Sequence, residues 1–161
     1  LDRRRLTESA ARVRRLRRRS LPPLTDLPAA MREADLVGAE AAERALVTRG
    51  DVQLREQAVV VDLRRHVNIA AGERRSPFVV TLTEARPDTL RARSLDDVPQ
   101  GATPVIVVDD RSQAESVTGH PTAVVVHCGV ITAAPEVARL VCLLGDTRPS
   151  AKAAVRRMVA P

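Results

Sequence analysis

Two short clusters in this chain hold side chains that perform chemistry. Val126-His127-Cys128-Gly129 sets an imidazole beside a thiol at the end of a valine run. A thiolate at a strand end, ringed by backbone N–H groups, is a nucleophile or an anion cradle. Asp109-Asp110 follows the apolar run Val105–Val108. Paired carboxylates in that position hold a divalent cation or the hydroxyls of a ribose. A site near Asp109, Asp110, His127 and Cys128 would make the chain a small enzyme or a ligand-binding domain.

Each cluster lacks a part that its chemistry requires. A cysteine loop that grips phosphate needs an arginine six positions on, and here that residue is Ala134. The intervening Val130-Ile131-Thr132-Ala133 is largely apolar, so Cys128 reads as a buried cysteine closing a strand. Asp109-Asp110 stands beside Arg111 and Ser112, which is turn and helix-cap chemistry. His66, His120 and His127 are the only histidines, and none is spaced with Cys128 or Cys142 as zinc ligands are. No metal is therefore expected. With seven glycines and no glycine-rich phosphate loop, no cofactor is expected either.

The N-terminus carries the strongest signal. Residues 1–20 contain Arg3, Arg4, Arg5, Arg12, Arg14, Arg15, Arg17, Arg18 and Arg19 against Asp2 and Glu8, a net of +7. The whole chain is +6, so residues 21–161 sum to −1. These nine arginines form a basic arm on a near-neutral body, and such asymmetry predicts a polyanionic partner. Guanidinium forks suit phosphates. The arm has no Asn, Gln, Lys or aromatic to read bases, so nucleic acid would be held by its backbone.

Spacing then assigns the elements. Leu6, Ala10, Val13 and Leu16 make a thin apolar stripe at helical intervals, ended by Pro22-Pro23. A second helix is expected over about 28–49, closed by Gly50. Strands are expected over 58–63, 78–82, 89–93, 104–108 and 122–126, from their valine and β-branched density. Pro87-Asp88 suggests an antiparallel pairing of the second and third of these. The runs at 104–108 and 122–126 do not alternate, as in strands buried on both faces. Two closing helices are expected, over 135–144 and 149–159.

The chain thus reads as α/β: a mixed sheet flanked by helices over 51–161, a linker and helix over 21–50, and the basic helical arm over 1–20. Ala and Val supply 47 of the 71 apolar residues, and Phe78 is the lone aromatic. Such a core relies on many small contacts. Two cysteines favour a reducing, cytoplasmic setting, and no apolar run suits a membrane span or a secretory signal. The expected function is a non-enzymatic binding or assembly subunit that engages an acidic partner through the arm, nucleic-acid backbone first. Beside it stand two alternatives: a cytosolic domain of a membrane-associated complex with a juxtamembrane basic helix, and the small enzyme or ligand binder.

Overall fold

Thr103–Val108 is buried at every position, as a strand without alternation must be when both of its faces are covered. It forms β4 and lies inside a six-stranded sheet in the computed structural model of the chain. The structure describes residues 3–20, 27–64, 76–110, 113, 116–117, 120–130, 132 and 134–159. The strands are β1 (Val47–Arg49), β2 (Ala58–Asp62), β3 (Leu90–Ala92), β4, β5 (Val124–His127) and β6 (Leu140–Cys142). The helices are α1 (Arg3–Ser20), α2 (Leu27–Ala45), α3 (Pro77–Ala85) and α4 (Arg148–Val159). The fold is α/β with a mixed sheet, as its pattern of valine runs and helical spacings implied.

The sheet order is β1-β6-β5-β4-β2-β3. All neighbours run parallel except β1, which pairs antiparallel with β6. Within the parallel part the chain starts at β2, steps outward to β3, then recrosses to β4, β5 and β6. The direction of winding reverses between β2 and β4. In doubly wound sheets that reversal opens a crevice at the C-terminal ends of the strands.

Two apolar clusters sandwich the sheet. Val60, Val105, Val107, Val124, Val126 and Val141 pack with α3 and α4, through Phe78, Leu82, Ala154 and Met158. Ile106, Val108, Val125 and Leu140 turn to the other face, where Val117, Ala123 and Val137 cover them. Strand alternation produces this division.

Four expectations are corrected. Residues 78–82 are not a strand: they lie in α3, where Ser76 Oγ accepts the Val79 N–H at the N-cap and Pro77 opens the first turn. The segment 89–93 is consequently no hairpin partner, and β3 runs parallel to β2 with α3 as the crossover. Residues 135–144 hold no helix among the described residues; Leu140–Cys142 is β6, paired on both sides. The second helix ends at Ala45 rather than 49, because Val47–Arg49 pairs with β6. Gly50 still needs to be glycine, for another reason. It follows β1 at φ 70°, and a Cβ there would lie 2.1 Å from the Ala138 carbonyl oxygen.

The chain divides into two compact units, Leu1–Leu36 and Val37–Pro161. In the first, α1 exposes its side chains from Thr7 to Arg15, including Arg12, Arg14 and Arg15. The Pro22-Pro23 linker, His66 and the side chains of Arg3, Arg4, Arg5, Arg17, Arg18 and Arg19 lie outside the described residues. In the second, α4 meets α2 through the Arg156–Glu43 ion pair at 3.1 Å.

Candidate functional site

Because β2, β4, β5 and β6 are parallel, Asp62, Val108, His127 and Cys142 all reach the same edge of the sheet. Val108 pairs with His127, and His127 with Cys142. Alternation then separates the two sequence neighbours expected to work together. Cys128 packs against the cluster under α3 and α4. His127, in step with Val125, lies on the other face, with Nδ1 3.7 Å from Cys142 Sγ.

On the α3 face the edge is closed by an ion cluster. Arg64 donates Nε and Nη2 to the two carboxylate oxygens of Asp62, at 2.8 and 2.6 Å, and Nη1 to Asp146 at 2.6 Å. Asp146 also accepts from Ser76 Oγ at 2.6 Å and from the Phe78 N–H at 2.9 Å, at the start of α3. Burial disfavours the Arg64 charge, but the hydrogen bonds to Asp62 and Asp146 outweigh it and hold its pKa above the ordinary value. Every arginine nitrogen is engaged, so this cluster ties β2, α3 and the loop before α4 together rather than receiving an anion.

Cys128 sits beside that cluster. Burial pushes its thiol up to about 12; the nearby carboxylates of Asp146, Asp62 and Asp109 add to the rise, against Arg64. A thiol at that pKa is protonated at neutral pH and is no nucleophile. Among the described residues no α-helix follows Cys128 before β6, and residues 134–137 have no regular secondary structure.

A second polar group gathers at the end of β4 and β5. Asp109 and Asp110 are exposed in the turn after β4. Gln113 folds back on that turn: its N–H donates to Asp110 Oδ1 at 2.9 Å, and its Oε1 accepts the Asp109 N–H at 3.0 Å. His127 is fully buried beneath Gly129. A Cβ at Gly129 would stand 2.9 Å from His127 Cε1 and 2.4 Å from the Asp109 carbonyl oxygen, so only glycine permits the chain to cross here. Burial lowers the His127 pKa, opposed by Asp109 and Asp110, and the ring is neutral near pH 7.

Three buried side-chain polar atoms among the described residues have no hydrogen-bond partner: Thr89 Oγ1, Gln113 Nε2 and His127 Nε2. The last two flank the Asp109–Asp110 turn. Native proteins pair nearly all such atoms, and these two nitrogens are buried under the turn rather than open to solvent. Among the described residues no three metal-ligating side chains converge. The structure therefore brings together Asp109, Asp110 and His127, sends Cys128 to the other face, and adds Gln113. Only the strand order reveals Gln113, Arg64, Ser76 and Asp146 as neighbours of this edge.

The opposite edge of the sheet carries a groove of about 370 Å³, lined by residues that include Asp51, Gln53, Glu56, Thr103 and Arg139. Arg139 spends its guanidinium on the carbonyls of Asp51, Gln53 and Thr122, which makes it a staple between loops.

No family model and no curated protein matches the chain. A solved structure with the same fold is that of a fungal multi-domain GH3 β-N-acetylglucosaminidase, described as containing a GCN5-related glucosamine N-acetyltransferase region. The match has a TM-score of 0.60 at 17% identity and covers 98% of this chain and 22% of that one. The chain spans about a fifth of that enzyme's length, and the likeness is one of fold. It corrects the expectation of a non-enzymatic subunit built for nucleic acid: a fold of this kind occurs as part of a multi-domain enzyme. No helix among the described residues is long and apolar enough to cross a membrane.

Proposed function

We propose that this chain is a small-ligand-binding or catalytic domain whose site is the C-terminal edge of the sheet around Asp109, Asp110, Gln113 and His127. The observation that carries the reading is the pair of exposed carboxylates, Asp109 and Asp110, at the C-terminal end of β4, next to the point where the winding reverses. Such a set suits a compact polyhydroxylated ligand. Carboxylates accept hydrogen bonds from hydroxyl or amine groups. Both activities named for the fungal enzyme concern glucosamine and its N-acetyl derivative. An amino sugar is accordingly the ligand class we propose.

Titration of the isotope-labelled chain with glucosamine and with N-acetylglucosamine, followed by amide NMR, tests this. Shifts should centre on Asp109, Asp110, Gln113 and Gly129, and Asp109→Asn with Asp110→Asn should remove them. No shifts at millimolar sugar, or shifts centred on the Asp51–Arg139 groove, would refute the assignment.

For α1 we propose a separate role: engagement of an anionic membrane face. The observation behind it is a net charge of +7 over residues 1–20 combined with the Leu6-Ala10-Val13-Leu16 stripe on a continuous helix. A thin apolar stripe flanked by arginines suits a helix lying in the headgroup layer.

A further inference from the structure

Apolar or small residues recur in α2 at Leu27, Met31, Ala34, Gly38, Ala41 and Ala45, in alternating steps of four and three. That spacing keeps them on one face of a helix, as in the seam of a coiled coil. From Gly38 onward this face meets its own chain. A Cβ at Gly38 would stand 3.7 Å from Pro149 in α4, and further along both helices Glu43 pairs with Arg156.

Before Gly38 the same face is open. Leu27 is 54% exposed and Met31 60%, and Ala34 is exposed beside them. Val37, also exposed, widens the stripe on one flank, while Leu36 falls on the opposite side of the helix. Four of the nine exposed large apolar side chains among the described residues lie within residues 27–37. Such a concentration marks an interaction surface rather than ordinary scatter. The other flank is charged. Arg32 and Asp35 are exposed, and neither has a hydrogen-bonding or ionic side-chain partner within the chain.

These charges choose the occupant. Two copies of the stripe paired in parallel would set Arg32 against Arg32 and Asp35 against Asp35, and like charges repel. Antiparallel pairing about a two-fold axis between residues 32 and 33 removes that clash. Met31 then lies opposite the partner's Ala34, and Arg32 comes within a turn of the partner's Asp35. The symmetry repeats both contacts. We infer that α2 is a dimerisation helix. Residues 27–37 of two copies pair antiparallel through Leu27, Met31, Ala34 and Val37, with reciprocal Arg32–Asp35 ion pairs on the flank. These residues span about 16 Å of helix, so the contact is smaller than the roughly 800 Å² per partner of a standard interface. The dimer accordingly forms and dissociates with concentration. It uses no residue of the sheet edge or of α1 and is independent of the sugar and membrane readings.

Sedimentation velocity of the full chain, from low to high micromolar concentration, tests the pairing. Wild type should pass from monomer to dimer mass. Met31→Glu should stay monomeric with an unchanged urea midpoint, since Met31 is exposed in the monomer. Arg32→Asp sets acid against acid and should weaken association about tenfold. Adding Asp35→Arg restores opposite charges in the antiparallel pair and should recover most of that loss. A wild-type chain that is monomeric throughout overturns the inference, as does a dimer that Met31→Glu leaves intact. Failure of the charge swap to recover association overturns the antiparallel pairing. A monomeric wild type whose Met31→Glu variant no longer sediments with anionic vesicles would assign the stripe to a lipid surface instead.

Discussion

At the scale of single residues, the pleat governs the chemistry more than sequence adjacency does. His127 and Cys128 are neighbours in the chain and serve opposite faces of the sheet, one beside exposed acids and one under α3 and α4. Cys128 should accordingly react slowly with iodoacetamide at pH 7.5 and quickly once unfolded in guanidinium, since burial holds its thiol protonated up to about 12. Rapid labelling of the folded chain at Cys128 would contradict that burial. His127 yields a prediction with the opposite direction of pH. Its folded pKa lies below the ordinary 6.5, so its contribution to stability is complete above that value and is lost as pH falls toward the lowered folded value. Urea unfolding at pH 7.5 and 5.5 should show a drop that His127→Gln reduces; equal drops in both chains would mean that His127 does not carry it. The acids and His127 were legible in the sequence because they close apolar runs, and strand ends collect functional groups. Gln113, Arg64, Ser76 and Asp146 were not, because they approach the edge only after β2, β4 and β6 are ordered in space.

At the scale of elements, short apolar runs tell little about their own secondary structure, and the flanks decide. Phe78-Val79-Val80-Thr81-Leu82 has the composition of a strand, but Ser76-Pro77 before it is a cap and a first-turn proline. Those two residues are the sequence signal of α3. At 135–144 tertiary pairing decides instead. Residues 138–142, Ala-Arg-Leu-Val-Cys, suit a helix, and pairing with β5 on one side and β1 on the other overrides that preference. The fully buried strands β4 and β5 were legible because both-sided burial removes polar residues altogether. Phe78 is buried completely in the cluster under α3, so Phe78→Ala should cost about 3–5 kcal/mol in urea denaturation. A loss under about 1 kcal/mol would show that the Ala and Val packing closes around the cavity. Arg64→Met breaks the ion cluster and strands two partly buried carboxylates. It should cost about 3 kcal/mol, and adding Asp62→Asn and Asp146→Asn should recover part of that loss.

At the scale of the whole molecule, the charge and the candidate site belong to different units. The +7 of residues 1–20 lies wholly within Leu1–Leu36, whereas every strand and every residue of the proposed ligand site falls in Val37–Pro161. The arm was the loudest signal in the sequence and said nothing about the site, because composition registers charge and is blind to strand order. This separation makes the two proposals independent and gives a direct test of the arm. Removing residues 1–26 should leave the urea midpoint of the sheet and the sugar titration unchanged. The same truncation should abolish co-sedimentation with vesicles rich in anionic lipid. Binding of the full chain should weaken steeply as salt is raised, because at about 1 M the Debye length shrinks to roughly 3 Å. Neutral vesicles should capture neither form. Should the truncated chain sediment with anionic vesicles as the full chain does, the membrane role would pass from α1 to the body. A fall in the urea midpoint on truncation would instead show that the arm contributes to the stability of the sheet unit.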